Sequence, residues 1–456
     1  MLQIHRLSWH TVLFLSLFIT VILFIPEEIT RHEFATYRVV IDPGHGGISM
    51  SPRDEHGDRY DMIAMEYLDY FREGASYRGY DEHEYMYEIA EKVHELLAHC
   101  APGGDFHRFY RVLQKYTDDE PDRIYIQHML SRGDSRDREA IQNRRDPNAG
   151  FRMFDYPDKN GIMQPGRITR INNYRPHLVV SLHLSKWAPR YYRGMNAVIV
   201  PPYEFMYKGL EYLRGERSSR SFYYRKPYRD WFVESVSRSG FSWFLNDSSM
   251  YFTSYRTTPA GKIDTGAFRG YRYNMVDWAY SDKEGWVFNA MQHKDGTRYA
   301  DNYKGFRADG KFWEREKSKH EAFRRGDGPE GYGGDNLYAS NELIRYILYS
   351  LEMRGIRHRD HRVGPPYISI WSLPLHVNAI TAFLEVGYLN RSHTRYLLRS
   401  RTDEMAEGIA VGIYSLFAGL RPDKSRTDHV PRGKKIDLDK YDIPNELDYF
   451  QNVTKR

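Results

Sequence analysis

Hydrophobic and polar positions along the chain follow two alternating periodicities. Short apolar runs predict buried strands at 37–41, 178–182, 197–200 and 379–386, with a further strand at 106–114. Apolar residues at helical spacing predict helices or helical turns at 84–98, 136–145, 167–173, 341–353 and 403–417. Strands that alternate with helices are typical of an α/β domain with a mostly parallel mixed sheet flanked by helices.

Two regions interrupt this rhythm. Residues 203–335 are rich in Tyr, Arg, Gly and Trp and lack clear periodicity, which predicts a large loop- and β-rich insertion. Residues 421–456 are charged with little apolar content, which predicts a flexible tail. The predicted organisation is therefore an N-terminal segment (1–36), a catalytic domain in two parts (37–202 and 336–420), the insertion (203–335) and the tail (421–456).

The N-terminal segment carries an apolar run at 11–25, preceded by Arg6 and followed by Glu27 and Glu28. Its length lies between a long signal-peptide core and a short membrane span. No small-residue cleavage site follows it, which favours an uncleaved signal-anchor in the inner membrane over 7–25 rather than a cleaved signal. In either case the rest of the chain is expected in the cell envelope, in a periplasmic or extracytoplasmic location.

The composition limits the partners and the metal ligands that the chain is expected to use. The net charge of +5 is small against 66 basic and 61 acidic residues and gives no indication of a nucleic-acid partner. The single cysteine, Cys100, excludes an intrachain disulfide and a site of several thiolates, so a metal site must use His, Asp or Glu. The 38 tyrosines suit carbohydrate stacking, but ordinary packing with an exposed hydroxyl explains them too.

Four polar residues lie at the ends of predicted buried elements: His45, Glu82, His183 and Glu385. Carboxyl ends of parallel strands converge at one edge of a sheet, where ligands and catalytic groups gather. A hydrolytic zinc site needs three protein ligands, an open position and a nearby carboxylate. The four residues match that requirement.

Each of the four also has a simpler explanation. His45, within VVIDPGHGG at 39–47, could be incidental to a tight turn, and His183 could be a structural residue at a strand end. Glu82 could merely complement the dipole of the following helix. Glu385 is harder to dismiss, because an acid that ends so apolar a run is costly unless it has a partner.

Five short motifs, in the same order along the chain, carry a family resemblance. They are IDPGHGG at 41–47, EHEYMYEIA at 82–90, MLSR at 129–132, SLHLS at 181–185 and EVGYLN at 385–390. The chain thereby resembles the zinc-dependent N-acetylmuramoyl-L-alanine amidases of the amidase-3 family, which act on bacterial peptidoglycan. The first and last motifs are fairly specific, and the middle ones are supportive.

The resemblance implies that His45, Glu82 and His183 hold Zn²⁺ and that Glu385 transfers the proton of the attacking water to the leaving amine. The implied substrate is peptidoglycan, cut at the amide bond between N-acetylmuramic acid and L-alanine. The glycines beside His45 would let a metal and a glycopeptide approach the backbone.

Three further residues are candidates for supporting or substrate-contacting roles. Asp42 is interpreted as an acid that orients a ligand or the neighbouring backbone. Arg132 matches an arginine that follows a strand in the family, and Asn390 ends the last motif. The chain departs from the family pattern at 184–185 and 390–391, which is expected to alter the pocket walls and leave the ligand set whole.

Alternatives remain at the level of function. The same fold could serve as a non-catalytic peptidoglycan-binding or regulatory envelope protein, or the zinc site could act on another amide-linked substrate. The insertion at 203–335 could cover the site, bind glycan, dock an envelope activator protein or be plain elaboration. His358 and His361 form a metal-like motif, but the arginines that interleave it predict a solvated loop.

Overall fold

The computed structural model describes residues 34–46, 74–133, 152–153, 165–187, 194–199, 336–364, 373–377, 379–423 and 430–438. It also describes the backbone at 59–61, 66–69, 156–157, 163–164, 242–246, 249–253, 256–257, 263–264, 273–274, 333–335 and 367–368. The chain divides into two compact units, Met1–Ala35 and Thr36–Arg456, and the elements below belong to the second.

A six-stranded sheet forms the centre of this unit. Its strands are β1 (Thr36–Pro43), β2 (Tyr125–Leu130), β3 (Leu178–Ser185), β4 (Asn196–Ile199), β5 (Tyr367–Ile368) and β6 (Ile380–Tyr388), in the spatial order β5-β4-β6-β3-β1-β2. The pairs β1–β2, β1–β3, β3–β6 and β4–β5 are parallel, whereas β4 runs antiparallel to β6. The predicted mostly parallel mixed sheet is thus confirmed.

Within the described residues, six helices accompany the sheet: α1 (Glu82–Ala98), α2 (Phe106–Leu113), α3 (Arg167–Tyr174), α4 (Gly333–Met353), α5 (Ser392–Ser400) and α6 (Thr402–Ala418). A 3₁₀ turn covers Leu373–Leu375. Helices α1 and α4 pack on the strands, and α6 packs against both helices. At the α4–α6 contact, a Cβ on Gly408 would lie 2.6 Å from the carbonyl oxygen of Tyr346, so this close approach requires glycine.

The predicted strand at 106–114 is wrong, because this segment forms helix α2. Phe106, Phe109 and Leu113 recur at intervals of three and four, and the structure buries Phe109 and Leu113 completely. Helix α4 begins before the predicted residue 341, and α5 was not predicted. The predicted helix at 136–145 lies outside the described residues.

Short strands complete the described backbone. They pair as Arg59–Asp61 with Glu66–Asp69, Ser76–Tyr77 with Tyr80–Asp81, and Tyr156–Pro157 with Met163–Gln164. Within the predicted insertion, Ser242–Asn246, Ser249–Thr253 and Tyr273–Asn274 form a three-stranded sheet, and Arg256–Thr257 pairs with Ile263–Asp264.

The predictions for the N-terminal anchor and for the C-terminal tail have different outcomes. The predicted anchor at 7–25 lies outside the described residues, and within the described part of the chain no helix has the length and hydropathy of a membrane span. Two parts of the predicted tail, 421–423 and 430–438, pack on the domain. There Ile436 is buried and its amide donates to the carbonyl of Leu416.

Candidate metal centre

The sheet order brings three carboxyl-terminal strand ends together. Strand β3 lies between β1 and β6, so His45, which follows β1, and Glu385, on β6, flank His183 of β3. Glu385 and His183 are direct neighbours in the parallel register of β6 and β3. Convergence at this edge follows from the parallel strands, as the sequence predicted for these three residues.

Glu82 enters the site from the first turn of α1 rather than from a loop before it. Its carboxylate is buried and accepts hydrogen bonds from two backbone amides, Ala75 N to Oε2 (2.7 Å) and Leu184 N to Oε1 (2.8 Å). Its own amide donates to the carbonyl of Ala75 at 2.8 Å. These bonds tie the start of α1 both to the preceding turn and to β3.

His45, Glu82 and His183 form one cluster, in which one ligand atom from each lies within 4.8 Å of the others. His183 Nδ1 is 3.0 Å from Glu82 Oε1, and His45 Nε2 is 3.7 Å from Glu82 Oε2. The two imidazole rings are 5.0 Å apart, at 79° to each other. Two imidazoles and one carboxylate are a donor set that Zn²⁺ takes in hydrolytic sites, so the residues fit that metal.

The two carboxylates of the site have opposite electrostatic surroundings. Burial raises the pKa of Glu82, but His45, His183 and the Leu184 amide outweigh that effect, so its net pKa is lowered and the group is an anion. Burial and the negative charge of Glu82 raise the pKa of Glu385. Opposite pKa shifts of this kind are typical of carboxylate pairs in which one group has a structural role and the other transfers protons.

His183 is surrounded by Glu82, Phe383 and Gly44, which set its pKa and its position. Burial lowers its pKa, but the hydrogen bond and charge of Glu82 outweigh that effect and raise it. Its ring stacks on Phe383 of β6, with centroids 4.2 Å apart and planes at 10°. On the β1 side, a Cβ on Gly44 would lie 2.5 Å from the His183 ring, so this glycine makes room for the imidazole.

The turn that carries His45 has an uncommon backbone. His45 adopts a φ of 58°, in the left-handed region, and Gly46 follows with a φ of 125°. A non-glycine residue in that region costs of order 1–3 kcal/mol and is concentrated at functional sites. This conformation directs the His45 imidazole towards Glu82 and His183.

Asp42 does not contact the three clustered residues in the described bonds. It accepts hydrogen bonds from Ser131 Oγ and Ser181 Oγ (2.6 Å to the latter) and pairs with Arg167 Nη1 at 3.3 Å, all in the buried interior. Arg167 in turn donates through Nη2 to the carbonyl of His45. Asp42 therefore reaches the His45 turn through Arg167.

Arg132 is buried and joins two segments that carry cluster residues. Its guanidinium donates to the carbonyls of Pro43 (3.0 Å), Gly44 (3.3 Å) and His83 (2.7 Å). It thus connects the β1 turn to α1. Asn390 lies beyond β6, and its amide donates to the carbonyl of Lys186 at 3.0 Å.

Sequence reasoning missed Arg167 and Gly74 as parts of the site, and it placed Ser185 in the pocket wall without its bond to Glu385. Ser185 Oγ donates to Glu385 Oε2 at 3.1 Å. A Cβ on Gly74 would meet Glu82 Oε2 at 2.9 Å and the His45 ring at 3.0 Å. No motif signals Arg167 or Gly74, but Ser185 follows His183 at the spacing of the same strand face, which could have indicated it.

The prediction of a solvated loop at 358–361 is wrong for His361, which is buried. Its Nε2 lies 2.8 Å from His393 Nε2 of α5, and His393 stacks on His358 with ring centroids 3.8 Å apart. Burial and the electrostatic effect of the nearby His358 lower the pKa of His393 to about 4, so the His393 ring packs as a neutral imidazole.

Comparisons with known proteins give matches among solved structures. No protein-family model and no curated protein sequence matches the chain. The amidase Ami1 of Mycobacterium smegmatis is 13% identical, with a TM-score of 0.35, and the match covers 84% of this chain and 97% of that one. Apo Ami1 of Mycobacterium abscessus is 11% identical, with a TM-score of 0.35, and the match covers 84% of this chain and 99% of that one.

A third match is the amidase of Clostridium difficile 630, with 11% identity, a TM-score of 0.25 and coverage of 83% of this chain and 96% of that one. These three solved structures are N-acetylmuramyl-L-alanine or N-acetylmuramoyl-L-alanine amidases.

Proposed function

We propose that this protein is a zinc-dependent amidase that hydrolyses the bond between N-acetylmuramic acid and L-alanine in peptidoglycan. The observation that carries the proposal is the cluster of His45, Glu82 and His183 with Glu385 beside it on the next strand. The five ordered motifs in the sequence supply the substrate class.

In the proposed mechanism His45, Glu82 and His183 would hold Zn²⁺. Bound zinc supplies Lewis acidity for the scissile carbonyl and for water. Glu385 accepts the proton of the attacking water and delivers it to the leaving amine of L-alanine. Ser185 Oγ holds Glu385 Oε2, which fixes the carboxylate for both transfers.

The raised pKa of Glu385 agrees with this assignment, since a general base works best when its pKa lies near the working pH. Arg132 and the Asp42–Arg167 pair hold the backbone of the His45 turn, so the imidazole does not have to be ordered when the metal binds.

The decisive experiment combines metal analysis with product analysis on the full-length protein. Purified cell wall is incubated with the protein, and free stem peptides are measured by mass spectrometry, while zinc is counted by elemental analysis. We expect one zinc per chain and release of peptides that begin with L-alanine, with loss of both upon chelation. Tight wall binding without released peptide would instead favour the non-catalytic envelope role.

We further propose that the protein acts in the cell envelope, attached through the apolar segment at 7–25. Removing residues 1–36 should move the protein from the membrane fraction to the soluble fraction or block its export.

Removing the insertion at 203–335 tests its role: higher activity indicates a cover over the site, and weaker wall binding indicates a recognition surface. An envelope activator protein would raise the activity only of the chain that retains the insertion.

A further inference from the structure

Trp187 is the one large hydrophobic side chain in the described part of the chain that is exposed, at 58%. Single exposed apolar residues are common, but tryptophan presents a particularly large apolar surface with one polar atom. Trp187 lies just past the end of β3, two residues after Ser185, the partner of Glu385. The exposed ring therefore lies close along the chain to a residue of the candidate metal centre.

The Trp187 ring packs against a neighbouring aromatic ring. It meets Tyr77 edge-to-face, with centroids 5.3 Å apart and planes at 75°. Tyr77 belongs to the short hairpin that leads directly into Glu82. The guanidinium of Arg395 on α5 lies 5.4 Å from the Tyr77 centroid and donates to the carbonyl of Leu389 at 2.6 Å.

The hairpin thus contacts the exposed ring at the end of β3, and α5 contacts the Tyr77 side of that pair. The end of β3 carries His183, the hairpin precedes Glu82, and the chain before α5 follows Glu385. A ring that already packs against a neighbour loses less conformational entropy when a ligand stacks on it than an unsupported ring does.

We propose that Trp187 stacks on a sugar ring of the glycan strand next to the cleaved bond. This assignment rests on the proposed function for the identity of the glycan. A pyranose ring presents a face of C–H groups that fits a flat indole, while its hydroxyl groups remain in water. A stable protein partner would need about 800 Å² on each side, far more than one indole ring with its neighbouring tyrosine provides.

The position also suits a polymeric substrate. Trp187 follows His183 by four residues, a path of at most about 13 Å at 3.3 Å per residue. A sugar bonded through its lactyl group to the scissile amide, or its neighbour along the strand, can therefore lie over the indole while the amide lies at His183.

The test measures binding of β-1,4-linked N-acetylglucosamine oligomers to the full-length protein by calorimetry. Trp187→Ala and Trp187→Leu should weaken binding at least fivefold, since leucine is apolar but has no flat ring. Trp187→Tyr should stay within about twofold, and so should Lys186→Ala, a change at the exposed neighbour. Thermal unfolding verifies that each variant is folded. Equal binding by Trp187→Leu and the wild type would overturn the proposal.

A second measurement separates this inference from the proposed function. On glycan strands that carry stem peptides, Trp187→Ala should raise KM and leave kcat unchanged. If oligomer binding depends on Trp187 but the wild type releases no peptide, the sugar site stands and the amidase fails. If the wild type releases peptide and Trp187→Ala matches it in binding and KM, the sugar site fails alone. Loss of binding to free stem peptides, with sugar binding retained, would overturn the sugar assignment in favour of peptide recognition.

Discussion

Glu385 lies directly opposite His183 in the parallel pairing of β6 with β3, so a carboxylate and an imidazole from adjacent strands open onto the same edge of the sheet. Glu385 is also the one position of β6 that is only partly buried. The apolar residues around it keep the strand in place, and its side chain remains accessible from the strand end.

The proposed role of Glu385 predicts a specific loss. Glu385→Gln preserves the size of the side chain and its contact with Ser185 but cannot accept a proton, so stem-peptide release should fall about 10²–10⁴-fold. Zinc content should remain that of the wild type, because Glu385 is outside the three-residue cluster. Asp403→Asn removes a carboxylate that is 82% exposed and should leave release unchanged. A Glu385→Gln protein with wild-type turnover would contradict the assignment.

Alanine substitutions at two glycines, Gly74 and Gly79, distinguish the effect of backbone strain from the effect of damage to the metal centre. Gly74 and Gly79 have positive φ values of 107° and 76°, so alanine at either position should cost about 1–2 kcal/mol in the free energy of unfolding. A Cβ at Gly74 would press on Glu82 and His45, whereas nothing lies within 4 Å of a Cβ at Gly79.

Gly74→Ala should therefore also weaken zinc binding, roughly 10–100-fold, as changes behind metal ligands do. Gly79→Ala should retain the zinc affinity of the wild type. Chemical denaturation and competition with a zinc-binding dye measure the two effects. If both variants lose the same zinc affinity, Gly74 acts through the backbone alone.

Sequence reasoning reached four of the six sheet strands and the four polar groups, because most buried strands are continuous apolar runs whose ends stand out. It did not predict β2 or β5. It mistook α2 for a strand, since eight residues with large aromatics fit either periodicity until their neighbours are known. It could not find the Asp42–Arg167 pair, because 125 residues separate the partners and only the folded sheet brings them together. The crowding around Gly74 likewise arises only when folding brings Glu82 and His45 next to it.

Glu407 on α6 predicts an acid-sensitive contribution to stability. Its carboxylate accepts bonds from Lys115 Nζ (2.8 Å), Tyr116 Oη (3.1 Å) and Arg354 Nη2 (2.7 Å). Burial raises its pKa, but Lys115 and Arg354 outweigh that effect, and the net pKa is lowered. The folded state thus prefers the ionised group. The resulting stability is fully present above the unfolded pKa of about 4.3 and is lost as the pH falls through the lower folded value.

Glu407→Gln should therefore lower the free energy of unfolding at pH 7 by roughly 1.5–3 kcal/mol. The gap between the variant and the wild type should close below about pH 4, because the wild-type carboxyl is then protonated as well. Urea denaturation across pH 3–7 measures the gap, and Glu404→Gln on the same helix, which removes a partner of the exposed Arg401, is the control. A gap that does not vary with pH would show that Glu407 acts through packing and not through its charge.

The Asp42–Arg167 pair predicts that two harmful changes compensate each other. Both side chains are 1% exposed, so Asp42→Asn leaves the buried guanidinium of Arg167 without its counter-charge and should cost about 3–5 kcal/mol. Arg167→Met alone leaves the carboxylate with only the hydroxyls of Ser131 and Ser181 and should cost a similar amount. The double variant removes both charges and should be more stable than the sum of the single losses, by 0.5–3 kcal/mol as coupled neighbours are. Zinc affinity distinguishes this pair from a merely structural one, because Arg167, unlike Asp42, donates to the His45 carbonyl. The double variant should thus regain stability but still bind zinc more weakly than the wild type, whereas full recovery of zinc affinity would show that the His45 turn does not depend on Arg167.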